Sequence, residues 1–324
     1  MGLKNNYLIL IFSVIFLFSC NSLNEKSQTA YQTKFINGST GNKLEILDFG
    51  GSGQAILFLT GLGNTAHVFV DFAPKFTNKF HVYAMSRRGY GASEQTANGY
   101  GVDTLAKDIL AVTNALHIDK VILIGHSIAG EEISKFASSY PDRVEKVIYL
   151  DAAYDRRNIM TALMPYMPAY PNPTTKDFSS FINWKSFVVK RMGISMPDEE
   201  FKAGSVFSKD GRYLKDVTPD SIRTLIIIGI EHPDYKNIDC PALAIYSIHN
   251  SINQIFPFYA SLDVENKKRA DTFFTLENKW AKEQIETFKK EVKKGTVKEI
   301  EGANHYVFIS NPEETEKLIR EFLK

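Results

Sequence analysis

Short apolar runs alternate along the chain with longer amphipathic stretches, a rhythm that predicts a mostly parallel sheet covered by helices. Lys43–Phe49, Ala55–Leu59, Phe80–Met85, Val121–Ile124, Val144–Leu150, Pro241–Tyr246 and Val297–Ile300 read as strands. Thr104–Leu116, Gly130–Ser139 and Pro312–Phe322 read as helices. The last opens on Asn311-Pro312, a capping residue followed by a proline whose missing N–H costs nothing at the first helical position. Asp263–Lys294 reads as a long helical region, with Phe273, Leu276, Trp280, Ile285, Phe288 and Val292 on one side and Lys and Glu elsewhere.

The alternation breaks between Tyr154 and Ile238, where Met164-Pro165-Tyr166-Met167-Pro168, Pro171 and Pro173 interrupt several helix-like pieces. The strand-helix rhythm resumes at Cys240. Residues 154–237 therefore read as a lid or cap inserted into a core formed by 31–153 and 238–324.

The N-terminus follows another pattern. Lys4 gives a positive start, and Tyr7 to Phe18 is apolar but for one Ser. The run is shorter than the ~18 apolar residues of a membrane-spanning helix and fits the apolar region of a secretory signal. Leu17-Phe18-Ser19-Cys20 resembles a bacterial lipobox, which implies a signal peptide over 1–19 and a lipidated Cys20 as the mature N-terminus. The polar stretch from Asn21 to Ala30 completes a tether over 20–30. The expected product is an exported, membrane-anchored lipoprotein of the bacterial cell envelope. An uncleaved N-terminal anchor would also export and tether it. Only Cys20 and Cys240 are present, so a lipidated Cys20 leaves Cys240 without a disulfide partner.

Composition narrows the partners. The 324 residues are 44% hydrophobic and 23% charged, ordinary for a chain that buries a real core. The net charge is +1, from 38 basic and 37 acidic residues, so a nucleic-acid partner is not expected. The seven His form no His-Glu-x-x-His or comparable ligand cluster, and no metal or cofactor is implied.

Three segments carry candidate chemistry. In Val121-Ile-Leu-Ile-Gly125-His126-Ser127-Ile128-Ala129-Gly130, a buried strand runs through a small-x-Ser-x-small turn into a helix. A serine hydroxyl is a weak nucleophile and must stand clear of the sheet to meet a base and a carbonyl. The turn that exposes it brings backbones close, which Gly125 and Ala129 permit. Near the C-terminus, Val297–Ile300 leads into Glu301-Gly302-Ala303-Asn304-His305, a loop from which His305 can reach over the sheet edge as the base. The third segment is Thr60-Gly61-Leu62-Gly63, after the strand Ala55–Leu59. An oxyanion hole here would take one amide from Ile128, after the nucleophile, and one from this earlier turn, with Leu62 the expected donor.

On these segments, with Arg88-Gly89-Tyr90-Gly91-Ala92-Ser93, the chain resembles the α/β-hydrolase superfamily, in the branch with a cap after the sixth strand. The matching parts span most of the chain from about Lys43 onward. The resemblance implies a mostly parallel sheet flanked by helices, a helical cap, and a Ser-His-acid triad acting on a small-molecule ester or related acyl compound. Two departures stand out. Thr60 occupies the place where relatives usually have His, and Asn250 stands where they usually have the acid. The chain order Ser, acid, His then directs attention to the end of Val144–Leu150, where some relatives carry it. Asp151 is the expected acid, with Asp155 the alternative. The Arg87-Arg88-Gly89-Tyr90-Gly91 run reads as structural.

Rival readings remain. Gly61-Leu-Gly63-Asn-Thr-Ala66 mimics a dinucleotide fingerprint, but that motif normally follows the first strand of its domain, and the reading leaves Ser127 and His305 unexplained. A non-catalytic binding lipoprotein on a hydrolase-like scaffold gains support from the missing acid at position 250. Within catalysis, a Ser nucleophile makes ester cleavage the default, with amide, thioester and carbon–carbon bonds open. Met164, Tyr166, Met167, Tyr170, Phe178, Phe181, Trp184 and Phe187 would form the core of the cap and, in part, favour an apolar substrate group.

Overall fold

The computed structural model describes residues 31–324. Its strands are β1 (Gln32–Asn37), β2 (Lys43–Gly50), β3 (Ala55–Leu59), β4 (His81–Met85), β5 (Val121–His126), β6 (Val144–Leu150), β7 (Ser205–Phe207), β8 (Tyr213–Asp216), β9 (Ala242–Ile248) and β10 (Gly295–Glu301). Its α-helices are α1 (Val102–Ala115), α2 (Ala129–Ser139), α3 (Ile159–Ala162), α4 (Thr175–Phe178), α5 (Phe181–Met192), α6 (Asp198–Gly204), α7 (Asp220–Ile228), α8 (Val264–Glu291), α9 (Val307–Ser310) and α10 (Pro312–Phe322). Among the described residues no helix is long and apolar enough to cross a membrane. Cys20 and the signal-like run lie outside the described residues.

Eight strands form one sheet in the order β1-β2-β4-β3-β5-β6-β9-β10. The β1–β2 and β2–β4 pairs are antiparallel and the others parallel. The expected mostly parallel sheet is thus observed. The edge strand β1, absent from the sequence expectation, has the polar-rich run QTKFIN and stays largely exposed, which explains its weak apolar signal.

Strand alternation sorts the core into two layers. Leu57, Leu59, Leu123, Val147, Tyr149, Ala244 and Tyr246 face one side, where Ile109 and Val112 of α1, Ile133 and Phe136 of α2, and Ile285 and Phe288 of α8 cover them. Ile56, Phe58, Ile122, Ile124, Ile148, Leu150, Leu243 and Ile245 face the other, against Phe69, Phe72, Phe76, Phe308 and Ile319. Central strands buried on both faces must be apolar throughout, and all five residues of β3 are buried. Each such Val, Leu, Ile or Phe contributes about 1.5–3 kcal/mol relative to exposure.

The chain reverses direction across the sheet at β3. It runs from β3 to β4 on one side, then crosses to β5 on the other. The C-terminal ends of adjacent β3 and β5 therefore open a crevice where two connections diverge, the usual ligand position in such sheets. The turns at this crevice carry Leu62 and Ser127. Between β6 and β9, α3–α7 and the β7–β8 hairpin interrupt the alternation.

Candidate active site

Ser127 sits where β5 ends and α2 begins, with φ of 55°. A non-glycine residue in the left-handed region costs on the order of 1–3 kcal/mol and persists only where its surroundings over-determine it. Here the Ser127 amide donates to the Leu150 carbonyl at 3.2 Å, and its carbonyl accepts from Gly130 N at 3.0 Å. The approach of α2 to the end of β6 is so close that a Cβ at Gly130 would overlap the Ala152 carbonyl. The sequence expectation credited Gly125 and Ala129 with this role, and the tightest position is their neighbour.

Asp151 follows β6 directly, also in the left-handed region at φ 47°. Its buried carboxylate accepts four hydrogen bonds. His305 Nδ1 reaches Oδ2 at 2.6 Å and Ser247 Oγ reaches the same oxygen at 2.7 Å. Tyr154 OH donates to Oδ1 at 2.5 Å and Ser247 N at 3.1 Å. Burial alone would raise the Asp151 pKa, but the bonds from His305 and Tyr154 and the nearby His305 hold it well below the usual carboxylate range. With Nδ1–H given to a carboxylate, His305 keeps Nε2 free as its basic nitrogen.

The alternatives for the acid lie elsewhere. Asp155 Oδ2 takes Arg157 Nη2 at 2.7 Å and faces His232 Nδ1 at 3.0 Å. Asn250 donates to Glu301 at 2.8 Å. Of the three positions, only Asp151 meets His305. Its partners Tyr154 and Ser247 were not singled out in the sequence, and no local motif marks them.

The main chain of His305 is tied to the serine turn. His126 Nε2 donates to the His305 carbonyl at 3.1 Å, and the two rings are 4.7 Å apart. Complete burial pushes the His126 pKa well below its usual value, which favours the neutral ring beside Ser127. Among the described residues no hydrogen bond joins Ser127 Oγ to His305, which carries a 40%-exposed side chain. Such contacts are commonly loose before substrate binds.

The turn after β3 packs against the serine. A Cβ at Gly61 would stand 2.8 Å from His126 Nδ1 and 3.2 Å from Ser127 Cβ, so glycine is what lets the two turns meet. Arg87 fixes this turn from beneath, donating through Nη2 to the Thr60 carbonyl at 2.7 Å and through Nε to buried Glu132 at 2.5 Å. Arg88 is likewise buried on Asp108 at 2.6 Å, which gives the Arg87-Arg88 run its expected structural role. Removing one partner of such a buried pair costs about 3–5 kcal/mol. Among the described residues, no main-chain carbonyl takes up the amides of Leu62 or Ile128. Ile128 follows Ser127 directly, and Leu62 follows Gly61, where the two turns meet.

A cleft of about 580 Å³ opens at this point, within the range of small-molecule sites. His305, Leu62, Asn64 and His249 line it from the sheet, and Tyr170, Trp184, Phe187, Met192 and Phe201 from the inserted segment. Of the aromatic residues expected to form that segment's core, Tyr170, Trp184 and Phe187 reach the cleft.

Comparison with known proteins agrees with this architecture. The family described as alpha/beta hydrolase fold matches residues 54–182. The 2-(acetamidomethylene)succinate hydrolase of Mesorhizobium japonicum is 32% identical over 101 residues, covering 31% of this chain and 36% of that protein. Epoxide hydrolase 1 of Caenorhabditis elegans is 27% identical over 269 residues, covering 77% of this chain and 59% of that protein. The chain thus spans well under two thirds of the length of these curated relatives. The crystal structure of E-2-(acetamidomethylene)succinate hydrolase superposes with a TM-score of 0.66 at 19% identity, over 90% of this chain and 99% of that one. With its sheet order, its strained serine between strand and helix, and this match over residues 54–182, the chain has the α/β-hydrolase fold.

Proposed function

We propose that the protein is a serine hydrolase that cleaves a carboxylic ester of a small, largely apolar molecule through an acyl-enzyme. The observation that carries this reading is the conjunction of Ser127 at φ 55° with the Asp151–His305 contact of 2.6 Å, beside a cleft that His305 and Leu62 line. His305 Nε2 takes the Ser127 proton as Oγ attacks the ester carbonyl, and Asp151 stabilises the imidazolium. The amides of Leu62 and Ile128 receive the charge that develops on the carbonyl oxygen. The tetrahedral intermediate collapses, and the alkoxide leaves with the proton from His305. Water, deprotonated by His305, then attacks the acyl-enzyme, and His305 returns the proton to Ser127 Oγ as the acid is released.

A fluorophosphonate probe tests the nucleophile, and p-nitrophenyl esters of graded chain length test the substrate. The expected result is stoichiometric labelling of Ser127 and turnover that improves as the acyl chain grows to fill the walls of Tyr170, Trp184 and Phe187. A folded protein that is neither labelled nor active would instead be a binding lipoprotein.

The same proposal includes export and tethering through lipid on Cys20, supported by the Leu17-Phe18-Ser19-Cys20 sequence. Cys20→Ala is expected to release the protein from membranes or to leave the signal uncleaved, as read by fractionation and incorporation of labelled fatty acid. Equal labelling of wild type and variant would exclude Cys20 as the lipid site.

A further inference from the structure

The turn that offers the Leu62 amide is held from outside the core. Glu200 lies on α6 in the inserted segment and is only 4% exposed. Its Oε1 accepts from Asn64 Nδ2 at 3.0 Å and Thr65 N at 3.0 Å. Its Oε2 accepts from Thr65 Oγ1 at 2.6 Å and again faces Thr65 N at 3.2 Å. Asn64 passes the connection on, accepting from Tyr306 OH at 3.0 Å, next in sequence to His305. Among the described residues no cation pairs with Glu200, so its burial is balanced by hydrogen bonds to this one turn. An apolar residue would fill the same space at lower desolvation cost.

We propose that Glu200 is a positioning residue, which holds the Gly61–Thr65 turn in the shape that presents the Leu62 amide to the reacting oxygen and so couples the inserted segment to the anion-binding site. This rests on the serine-hydrolase reading. Every partner of the carboxylate is a donor, so the ionised form is the one that fits. Burial pushes the Glu200 pKa up to about 7, the bonds from Thr65 and Asn64 opposing it and the negative charge of Glu45 on β2 adding to it. Tyr306, His67 and Glu199 are the other titratable neighbours, His67 through its 3.1 Å contact with Thr65 Oγ1 and Glu199 on the same helix. Protonation would turn an O–H toward donors and release at least one bond. Protonation of Glu200 then contributes to the fall in turnover on the acid side.

The test uses Glu200→Gln, Glu200→Ala and Thr65→Val in the full chain. Each is assayed for kcat and KM on a p-nitrophenyl ester across pH 5–9, and for inhibition by a trifluoromethyl ketone whose adduct carries an oxyanion. Loss of a direct oxyanion donor costs about 10²–10³ in kcat, so a misplaced one is expected to cost roughly 10–30-fold in the Glu200 variants. KM is expected to stay within about twofold and the inhibitor to weaken by the same factor as kcat, because only transition-state binding is lost. The Gln variant should also lose the part of the acid-side fall in kcat that Glu200 contributes. Thr65→Val, which removes one of the bonds to Glu200 together with the Oγ1 contacts to His67, should show a loss of the same kind and answers the question if the Glu200 variants do not fold. Unchanged kcat and inhibition, or a loss confined to KM, would overturn the proposal. A wild-type protein that turns over no ester and is not labelled at Ser127 would instead overturn the reading beneath it.

Discussion

Ser127→Ala is expected to lower ester turnover by about five to six orders of magnitude while leaving the melting temperature close to that of the wild type. The hydroxyl forms the covalent bond in the proposed reaction, and loss of a nucleophile costs about as much as loss of a whole triad. Alanine suits the site sterically. Cβ is retained, and the bonds that shape the turn run through the backbone, from Ser127 N to Leu150 O and from Gly130 N to Ser127 O. The strain at φ 55° is unchanged in kind. The amides of Leu62 and Ile128 persist, so a residual rate above that of water is expected. Undiminished turnover in the purified variant would remove Ser127 from the mechanism.

Asp151→Asn is expected to lose about three to four orders of magnitude in kcat. An asparagine can keep an oxygen toward Tyr154 and Ser247 only by turning its NH2 toward His305 Nδ1. Nδ1 must then become the acceptor, which moves the ring proton to Nε2 and leaves no base for the serine. Stability moves as well. The folded-state pKa of Asp151 is depressed, so its carboxylate contributes fully above the unfolded value near pH 4, and that contribution falls away only as pH drops through the folded value. At neutral pH the variant lacks that term, and melting temperatures must accompany the rates. Asp155→Asn and Asn250→Ala should retain near-normal turnover, because Asp155 is engaged by Arg157 and His232 and Asn250 by Glu301. Collapse in either, with a folded and active Asp151→Asn protein, would reassign the acid.

Much of the architecture was legible in the chain because central strands buried on both faces have no freedom to be polar. Ala55–Leu59 and Val144–Leu150 match their predicted bounds, as does Pro312–Phe322 with its Asn-Pro start. The serine turn was legible for a similar reason. An apolar strand ending in Gly125-His126-Ser127 and followed at once by a helix has few geometries open to it. His305 could be read from its place in the last strand-to-helix connection. The edge strand β1 could not be read, since an exposed strand rich in polar residues resembles a loop.

The acid is where local sequence stopped. Asp151 and Asp155 both follow β6, and the sequence favours Asp151 only by its place at the end of the strand. What separates them is distance along the chain: Ser247 on β9 and His305 beyond β10 converge on Asp151, which sits in a backbone turn at φ 47°. Glu200 belongs to the same class. In sequence it is one of two adjacent glutamates at the start of a short helix, and only packing of that helix against the Asn64–Thr65 turn turns one inward as a buried carboxylate and leaves Glu199 beside it. Periodicity, propensity and turn chemistry act between neighbours, and they determined which elements form and which two residues stand ready at their ends. Whether these carboxylates are ionised, paired or buried depends largely on groups brought from about 100 to 150 positions away, and that was decided by the tertiary structure.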